Sequence, residues 1–345
     1  MDINCINPLA DSRWDDLVAR HPLASAFHNC GWLEALSRTY GYEPFVLTSA
    51  PANQPLKDGV VFCRVSSWIT GTRLVSLPFS DHCDPLLNDL ADLTEFSSWL
   101  RMKRDSERYR YIEIRPLSQI ADGDGQFQLS QSYCFHELDL TPSLEQIFRK
   151  LHKDSLQRRI QRAEREGLLY EVGRSERLVK EFYRLLLITR RRHQLLPQPR
   201  LWLKNLIECM GDNIEIRVAQ KESTPIAAML TLRHRASVIY KYGCSDEKFH
   251  HLGAMPFLFW KLIEESKTSG AEKIDFGRSD LNQQSLIAFK DKFGTTKRVL
   301  HYYRYPKLAK NERPGWDGRM LRQFFSILPD SVSTTAGKVL YRHIG

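Results

Sequence analysis

Between Leu144 and Tyr305, glycine, proline and charge clusters cut the chain into a fixed succession of short elements, and that succession limits the fold more than any other feature. Leu156, Ile160 and Ala163 recur at helical spacing in DSLQRRIQRAEREG, with Asp154 placed to cap the start and Gly167 to end the helix. A strand over Leu168 to Val172 follows. Leu178, Phe182, Leu185 and Thr189 step along one helix face, and LLPQPR stops that helix before a second one holding Trp202, Leu206 and Ile207. Ile214, Ile216 and Val218 alternate with Glu215 and Arg217, which is strand periodicity, and Pro225 and Arg233 to Arg235 bound two further strands at 226–232 and 237–243. Pro256 opens a helix running to Lys267, Gly270 ends it, KIDF (273–276) is a buried strand carrying one acid, and a helix at 285–292 and a strand at 297–305 complete the series. The predicted order is strand, two helices, three strands, helix, strand, helix, strand.

The N-terminal half repeats this order more faintly: strands near 45–48, 60–65 and 74–78, a helix near 90–103, and strands at 111–115 and 135–140. Two local echoes support an internal repeat. YIEIRP (111–116) parallels KIDFGR (273–278), and SLPFSD (76–81) parallels KYGCSD (241–246). The expected division is therefore 1–141, 142–310 and a basic amphipathic tail, 311–345. Seven scattered cysteines without a C-x-x-C pair fit reduced thiols, not a disulfide frame or zinc cage. The acidic start MDINCINPLADSRWDD does not read as a secretory leader, so the expected compartment is the cytoplasm.

Six stretches carry a family resemblance: SLPFSDHCDPL (76–86), LHKDSLQRRIQRAEREGL (151–168), TRRRHQLLPQP (189–199), YKYGCSD (240–246), IDFGRSD (274–280) and LIAFKDKFG (286–294). In these the chain resembles the Fem family, FemAB-like proteins related to the bacterial peptidoglycan aminoacyltransferases, within the GNAT (GCN5-related N-acetyltransferase) superfamily. The resemblance implies an α+β fold of two tandem GNAT-like domains, each a mixed central sheet flanked by helices, the first degenerate, with a C-terminal helical tail. It also implies transfer of an activated acyl or aminoacyl group to an amine of a cell-envelope, exopolysaccharide or lipid-linked precursor. No tightly bound cofactor is implied; acyl-CoA, acyl carrier protein or aminoacyl-tRNA would serve as acyl donor substrate. Two departures stand out. The coiled-coil arm of many tRNA-dependent members is missing, and the usual pyrophosphate-binding run is reduced to FHHLGAMP (249–256), where Gly253 is the candidate phosphate contact.

Aminolysis of a thioester or ester needs a proton acceptor, a donor for the developing oxyanion and anchors for two substrates. Lys290, flanked by Phe289 and Phe293, is the expected catalytic cation, and the resemblance lands on it. Asp275 points away from Ile274 and Phe276, with Arg278 as its expected partner; one of the two would bind the amine or act as its base. Tyr240 and Tyr242 are expected to share one face of a central strand with Cys244, Tyr242 as a catalytic candidate and Tyr240 and the following Ser245 as substrate contacts. Arg190 and His193, three apart on a helix end, are expected anion or acceptor contacts. Asp81 and His82, with Cys83 and Asp84, are read as a polar turn at the cleft rim; no metal is expected.

The charge excess is local. The chain carries 50 Lys and Arg against 41 Asp and Glu, a net +9, and residues 150–200 alone hold 14 against 6. Arg158, Arg162 and Arg165 make a stripe opposite Leu156, Ile160 and Ala163, suited to the phosphate of a donor or lipid-linked acceptor, or to RNA. In the tail, Met320, Leu321, Phe324, Phe325 and Leu328 beside Arg319 and Arg322, with Lys338, Arg342 and His343 at the end, suit peripheral contact with the inner face of a membrane, or packing on the body. The competing reading is a non-catalytic GNAT-like protein that binds anions or nucleic acid.

Overall fold

A computed structural model describes residues 2–89, 92–119, 127–306, 336–337 and 339–343. Its strands are β1 (Asn4–Ile6), β2 (Glu43–Thr48), β3 (Val60–Val65), β4 (Arg73–Val75), β5 (Ile112–Ile114), β6 (Gln128–Asp139), β7 (Leu169–Gly173), β8 (Ile214–Lys221), β9 (Thr224–His234), β10 (Ser237–Ser245), β11 (Lys273–Asp280) and β12 (Thr296–Tyr305). The helices are α1 (Arg13–Arg20), α2 (Cys30–Tyr40), α3 (Leu93–Glu107), α4 (Leu144–Lys150), α5 (Arg158–Arg165), α6 (Glu176–Arg192), α7 (Arg200–Met210), α8 (Ala254–Thr268) and α9 (Gln284–Asp291).

The fold is α+β, with the tandem arrangement the sequence predicts, but the two sheets are one. All twelve strands form a mixed sheet in the order β1-β2-β3-β4-β5-β12-β6-β11-β10-β9-β8-β7. The continuity comes from an exchange: β12, the last strand of the second half, lies between β5 and β6, while β6, from the first half, lies between β12 and β11. Two pairs are parallel, one in each half: β4 with β5 at Leu74↔Ile112 and Val75↔Glu113, and β10 with β11 from Ser237↔Lys273 to Ile239↔Asp275. A parallel pair whose members leave for other partners opens a gap in the sheet. The second pair opens such a gap.

Helices cover both faces. On one, α2 of the first half meets α7 of the second, with Trp32 edge-on to Trp202 at 5.3 Å, so a single core spans both halves. On the other, α5 and α8 bury Ile160, Phe259 and Phe276 of the second half, and α3 buries Phe96 and Leu100 of the first.

Several expectations shift. The helix expected from Asp154 is preceded by α4, then a π-helical turn (Lys153–Gln157), and the His152 ring accepts from the Ser155 amide while Asp154 pairs with Arg158 at 2.9 Å. Pro256 is the third residue of α8, not the first. The strand expected at 74–78 ends at Val75, because Leu77 and Phe79 take left-handed backbone angles (φ 61° and 62°). In the tail, residues 336–337 and 339–343 are helical and pack on the body: the Tyr42 hydroxyl donates to the carbonyls of Tyr341 and Arg342, and the Tyr341 hydroxyl to Leu196. The apolar cluster from Met320 to Leu328, with Arg319, Arg322 and Lys338, lies outside the described residues.

Candidate active site at the split strands

β10 and β11 are paired up to Ile239↔Asp275; beyond that rung β10 stays with β9, and β11 with β6. Both carry a bulge at the split, β10 between Tyr240 and Tyr242 and β11 between Asp275 and Arg278. A bulge adds one unpaired residue and so reverses which face the following side chains use. Tyr240 and Tyr242 therefore do not share a face, contrary to the alternation reading. Tyr240 packs on Phe259 at 4.7 Å on the α8 side, while Tyr242, with Cys244, joins the opposite core, where its hydroxyl accepts from the Trp202 indole at 3.1 Å. The Tyr240 hydroxyl lies against the Gly243 backbone so closely that a Cβ there would be 1.9 Å from it.

The extra residue of the β10 bulge is Lys241, which the sequence reading passed over. Its Nζ lies 3.2 Å from Asp81 Oδ1 and 5.3, 5.9 and 5.4 Å from the rings of Phe27, Trp32 and Tyr242. Asp81 arrives from the first half on the loop containing the two left-handed residues, Leu77 and Phe79, and Arg278 Nε stands 3.8 Å from the same oxygen. Left-handed non-glycine residues persist only where their surroundings hold them, and they concentrate at functional sites. Burial opposes the Asp81 charge, but Lys241 and Arg278 outweigh it and hold the carboxyl below its ordinary range. Burial likewise lowers Lys241, with Asp81 partly offsetting it. The Arg278 guanidinium stacks on Tyr133 at 4.1 Å and Tyr302 at 5.1 Å. Its partner is thus Asp81, not Asp275.

Lys290 is where the sequence placed it. It is 3% exposed, and its Nζ donates to the carbonyls of Gly277 (3.0 Å) and Arg278 (3.2 Å) at the β11 bulge. Burial pushes it down to about 8. Lys290, Lys241, Arg278, Arg190, His193, Tyr240, Tyr242 and Asp81 all line one cleft of about 290 Å³. Four basic side chains, Lys241, Lys290, Arg190 and Arg278, against one carboxylate give the cleft a positive lining that suits an anionic group. Burial raises Tyr242 to about 12, so its phenol stays neutral and serves as a hydrogen-bonding wall. The Cys244 thiol is likewise pushed up by burial and contacts carbonyls of Phe182 and Ala228.

Other candidates lie elsewhere. Asp275, 3% exposed, accepts from His82 Nε2 at 2.8 Å and from the Gly277 amide, behind the cleft. Asp84 accepts from the amides of Leu117 and Ser118, so Asp81, His82 and Asp84 each take a different partner, and no group among the described residues could hold a metal. Ser245 is buried against Thr189 and His250. Gly253 is dictated by packing, since a Cβ there would be 2.5 Å from the Arg159 carbonyl oxygen. Arg158 and Arg162 face solvent, paired with Asp154 and with Glu166 at 3.8 Å. The basic stripe does not reach the cleft.

Residues 150–290 match the family described as acetyltransferase (GNAT) domain. No curated protein sequence matches the chain. Among solved structures the fold is similar to that of FemX (12% identity, TM-score 0.71, covering 88% of this chain and 97% of that one). It is also similar to L-PGS from Bacillus licheniformis (15%, 0.58, 87% and 92%) and to a tandem GNAT protein from the clavulanic acid biosynthesis pathway (9%, 0.53, 88% and 98%). At such identities the likeness concerns the fold. No helix among the described residues is long and apolar enough to cross a membrane. Residues 150–290 thus match the GNAT acetyltransferase domain family, and the chain that contains them has a tandem GNAT fold similar to that of FemX.

Proposed function

We propose that the protein is an N-acyltransferase or aminoacyltransferase that joins an activated acyl group to the amine of a cell-envelope, exopolysaccharide or lipid-linked precursor. The observation that carries this reading is the split between β10 and β11, where Lys241 and Lys290 converge on a cleft beside a carboxylate from the other half. The carbonyl of a thioester or ester lying in the split would have ammonium donors near the oxygen that becomes charged. Donors fixed in advance in a site with little water stabilise that charge without reorganising. Asp81 holds Lys241 and Arg278 in place, and Arg190 and His193 line the mouth, where an anionic donor or acceptor would be gripped. The acceptor nitrogen attacks the acyl carbon directly, with no enzyme-bound acyl intermediate; the inaccessible Cys244 supports that order.

The donor would be acyl-CoA, acyl carrier protein or aminoacyl-tRNA. Within this reading, the fold similarity to the C-terminal domain of a putative lysylphosphatidylglycerol synthetase from Agrobacterium fabrum favours a lipid-linked acceptor. Native mass spectrometry against the three donor classes, followed by product analysis with amine acceptors, tests the proposal. Retention of one donor and formation of an amide is the expected result. Failure of all three to bind or to yield an amide would overturn it.

A further inference from the structure

Behind the split lies a second, larger cavity of about 500 Å³. Both halves build it: Ser25, His82 and Ser118 from the first, and His234, Lys273 and Asp275 from the second. It touches Ile239 and Asp275, the last rung before β10 and β11 part, whereas the cationic cleft touches Tyr240 and Phe276, the next residues of the two strands. The two spaces therefore adjoin across that rung, and the consecutive residues Asp81 and His82 line one each.

The two linings differ in chemistry. The cleft has its four cations, while the cavity has four acids (Asp84, Glu137, Glu272 and Asp275) against three basic side chains, two of them already paired with Glu137. Two imidazoles add unpartnered atoms. His82 gives its Nε2 to Asp275 at 2.8 Å, and its Nδ1 has no partner among the described residues although the side chain is 5% exposed. His234 is hydrogen-bonded to the Val18 backbone, and its Nε2 is likewise without a partner. A carboxylate on one ring nitrogen fixes the proton there, so the other nitrogen of a neutral imidazole presents a lone pair. A lone pair buried without a donor is costly, and a ligand with N–H groups would satisfy it.

We propose that the acceptor amine enters through this cavity and that His82, oriented by Asp275, is the base that takes its proton. The proposal rests on the acyl-transfer reading for its chemistry and on the cavity alone for its binding. The ammonium gives one proton to His82 Nδ1, leaving a neutral amine. Its lone pair forms the C–N bond to the donor's carbonyl carbon, and the carbonyl π pair moves to oxygen, facing the lysines of the cleft. When that pair returns, the bond to the thiolate or alkoxide breaks, and the leaving group accepts the second proton of the nitrogen. Asp275 is a positioning residue here, since it acts through the imidazole. Burial works against charging His82, but the hydrogen bond and charge of Asp275 outweigh it and raise its basicity, as suits a base.

The test is long-range proton–nitrogen NMR on the full chain labelled at histidine, titrated with ethanolamine and, separately, with choline, which has the cation but no N–H. Ethanolamine is expected to shift the ring nitrogens of His82 and His234 saturably, and choline to leave them in place. No response to ethanolamine, or an equal response to choline, would overturn the site. Asp275→Asn preserves shape, and its fold is read in the same spectra. It is expected to lower kcat about 100- to 1000-fold, leave the donor KM unchanged and abolish the His82 shift. Wild-type kcat in this variant would overturn the base assignment. If the shifts appear but no donor gives an amide, the amine site stands and the transferase reading falls. If amides form without any shift, the reverse holds.

Discussion

At the residue scale, Lys290 and Glu113 bury charge to opposite ends. Lys290 is lowered from its ordinary 10.5 to about 8 chiefly by burial, so its charge is present at neutral pH and lost just above it. If the charge is needed, the rate falls as pH rises through about 8. Stability should move the other way. Between about 8 and 10.5 the unfolded chain keeps a proton that the native state has released, so this group's contribution becomes more favourable with rising pH. Parallel pH profiles of rate and of unfolding check the opposition. Glu113 lies on β5 at the position that echoes Asp275, but Arg115 at 2.7 Å and Arg304 at 2.5 Å hold it. Burial opposes its charge, and the two arginines overcome this and bring it down to about 2 from an ordinary 4.5. Its stabilisation is thus complete above about 4.5 and fades as pH falls toward 2. Glu113→Gln strands two arginines and should cost about 3–5 kcal/mol in denaturant titrations. Lys290 was legible in the sequence because two phenylalanines bracket it. The partners of Asp81 and His82 were not, since Lys241 and Asp275 are brought to them only by the closing of one half on the other.

At the scale of elements, the bulges decide the site. Reading β10 by strict alternation put Tyr240 and Tyr242 together and turned Lys241 away; one inserted residue reverses both assignments. No local propensity marks that insertion, although a lysine within IYKYGC, on a strand interior to the sheet, is a charge that needs a partner. Element order from Leu169 to Tyr305 was legible because glycine and proline punctuate it. The first half was harder to read: α1, α2 and β1 went unpredicted, and their apolar residues are shared with a core that the other half completes. Gly243 gives the element-scale prediction. Gly243→Ala places a methyl on the Tyr240 hydroxyl, so the tyrosine must leave its seat on Phe259 and the cleft wall distorts. A loss of about 1–3 kcal/mol is expected, and adding Tyr240→Phe should restore part of it; equal melting temperatures for Gly243→Ala and wild type would refute the packing argument.

At the scale of the molecule, the exchange of β6 and β12 makes each half's sheet depend on the other's strand. One cooperative calorimetric transition is expected, and residues 142–306 expressed alone should not fold, since they lack β6 beside β11. Two separate transitions would contradict this. The same exchange lets the loop after β4 deliver Asp81 and His82 to the split in the second half, so the site belongs to neither half alone. The excess positive charge takes on a different meaning as well. Arg158 and Arg162 of the α5 stripe are paired and solvated, while of the cleft's cations only Arg190 comes from the basic segment and Lys241, Arg278 and Lys290 lie outside it.

The most direct test of the account is single-turnover transfer to a primary amine at neutral pH, comparing wild type with Lys290→Met and using whichever donor the protein retains. The account predicts an amide product from wild type, a loss of about 100- to 1000-fold in the variant, and a folded variant with a melting temperature lowered by the loss of the hydrogen bonds to the Gly277 and Arg278 carbonyls. An equal rate in the variant would contradict the claim that acyl transfer takes place at the split strands.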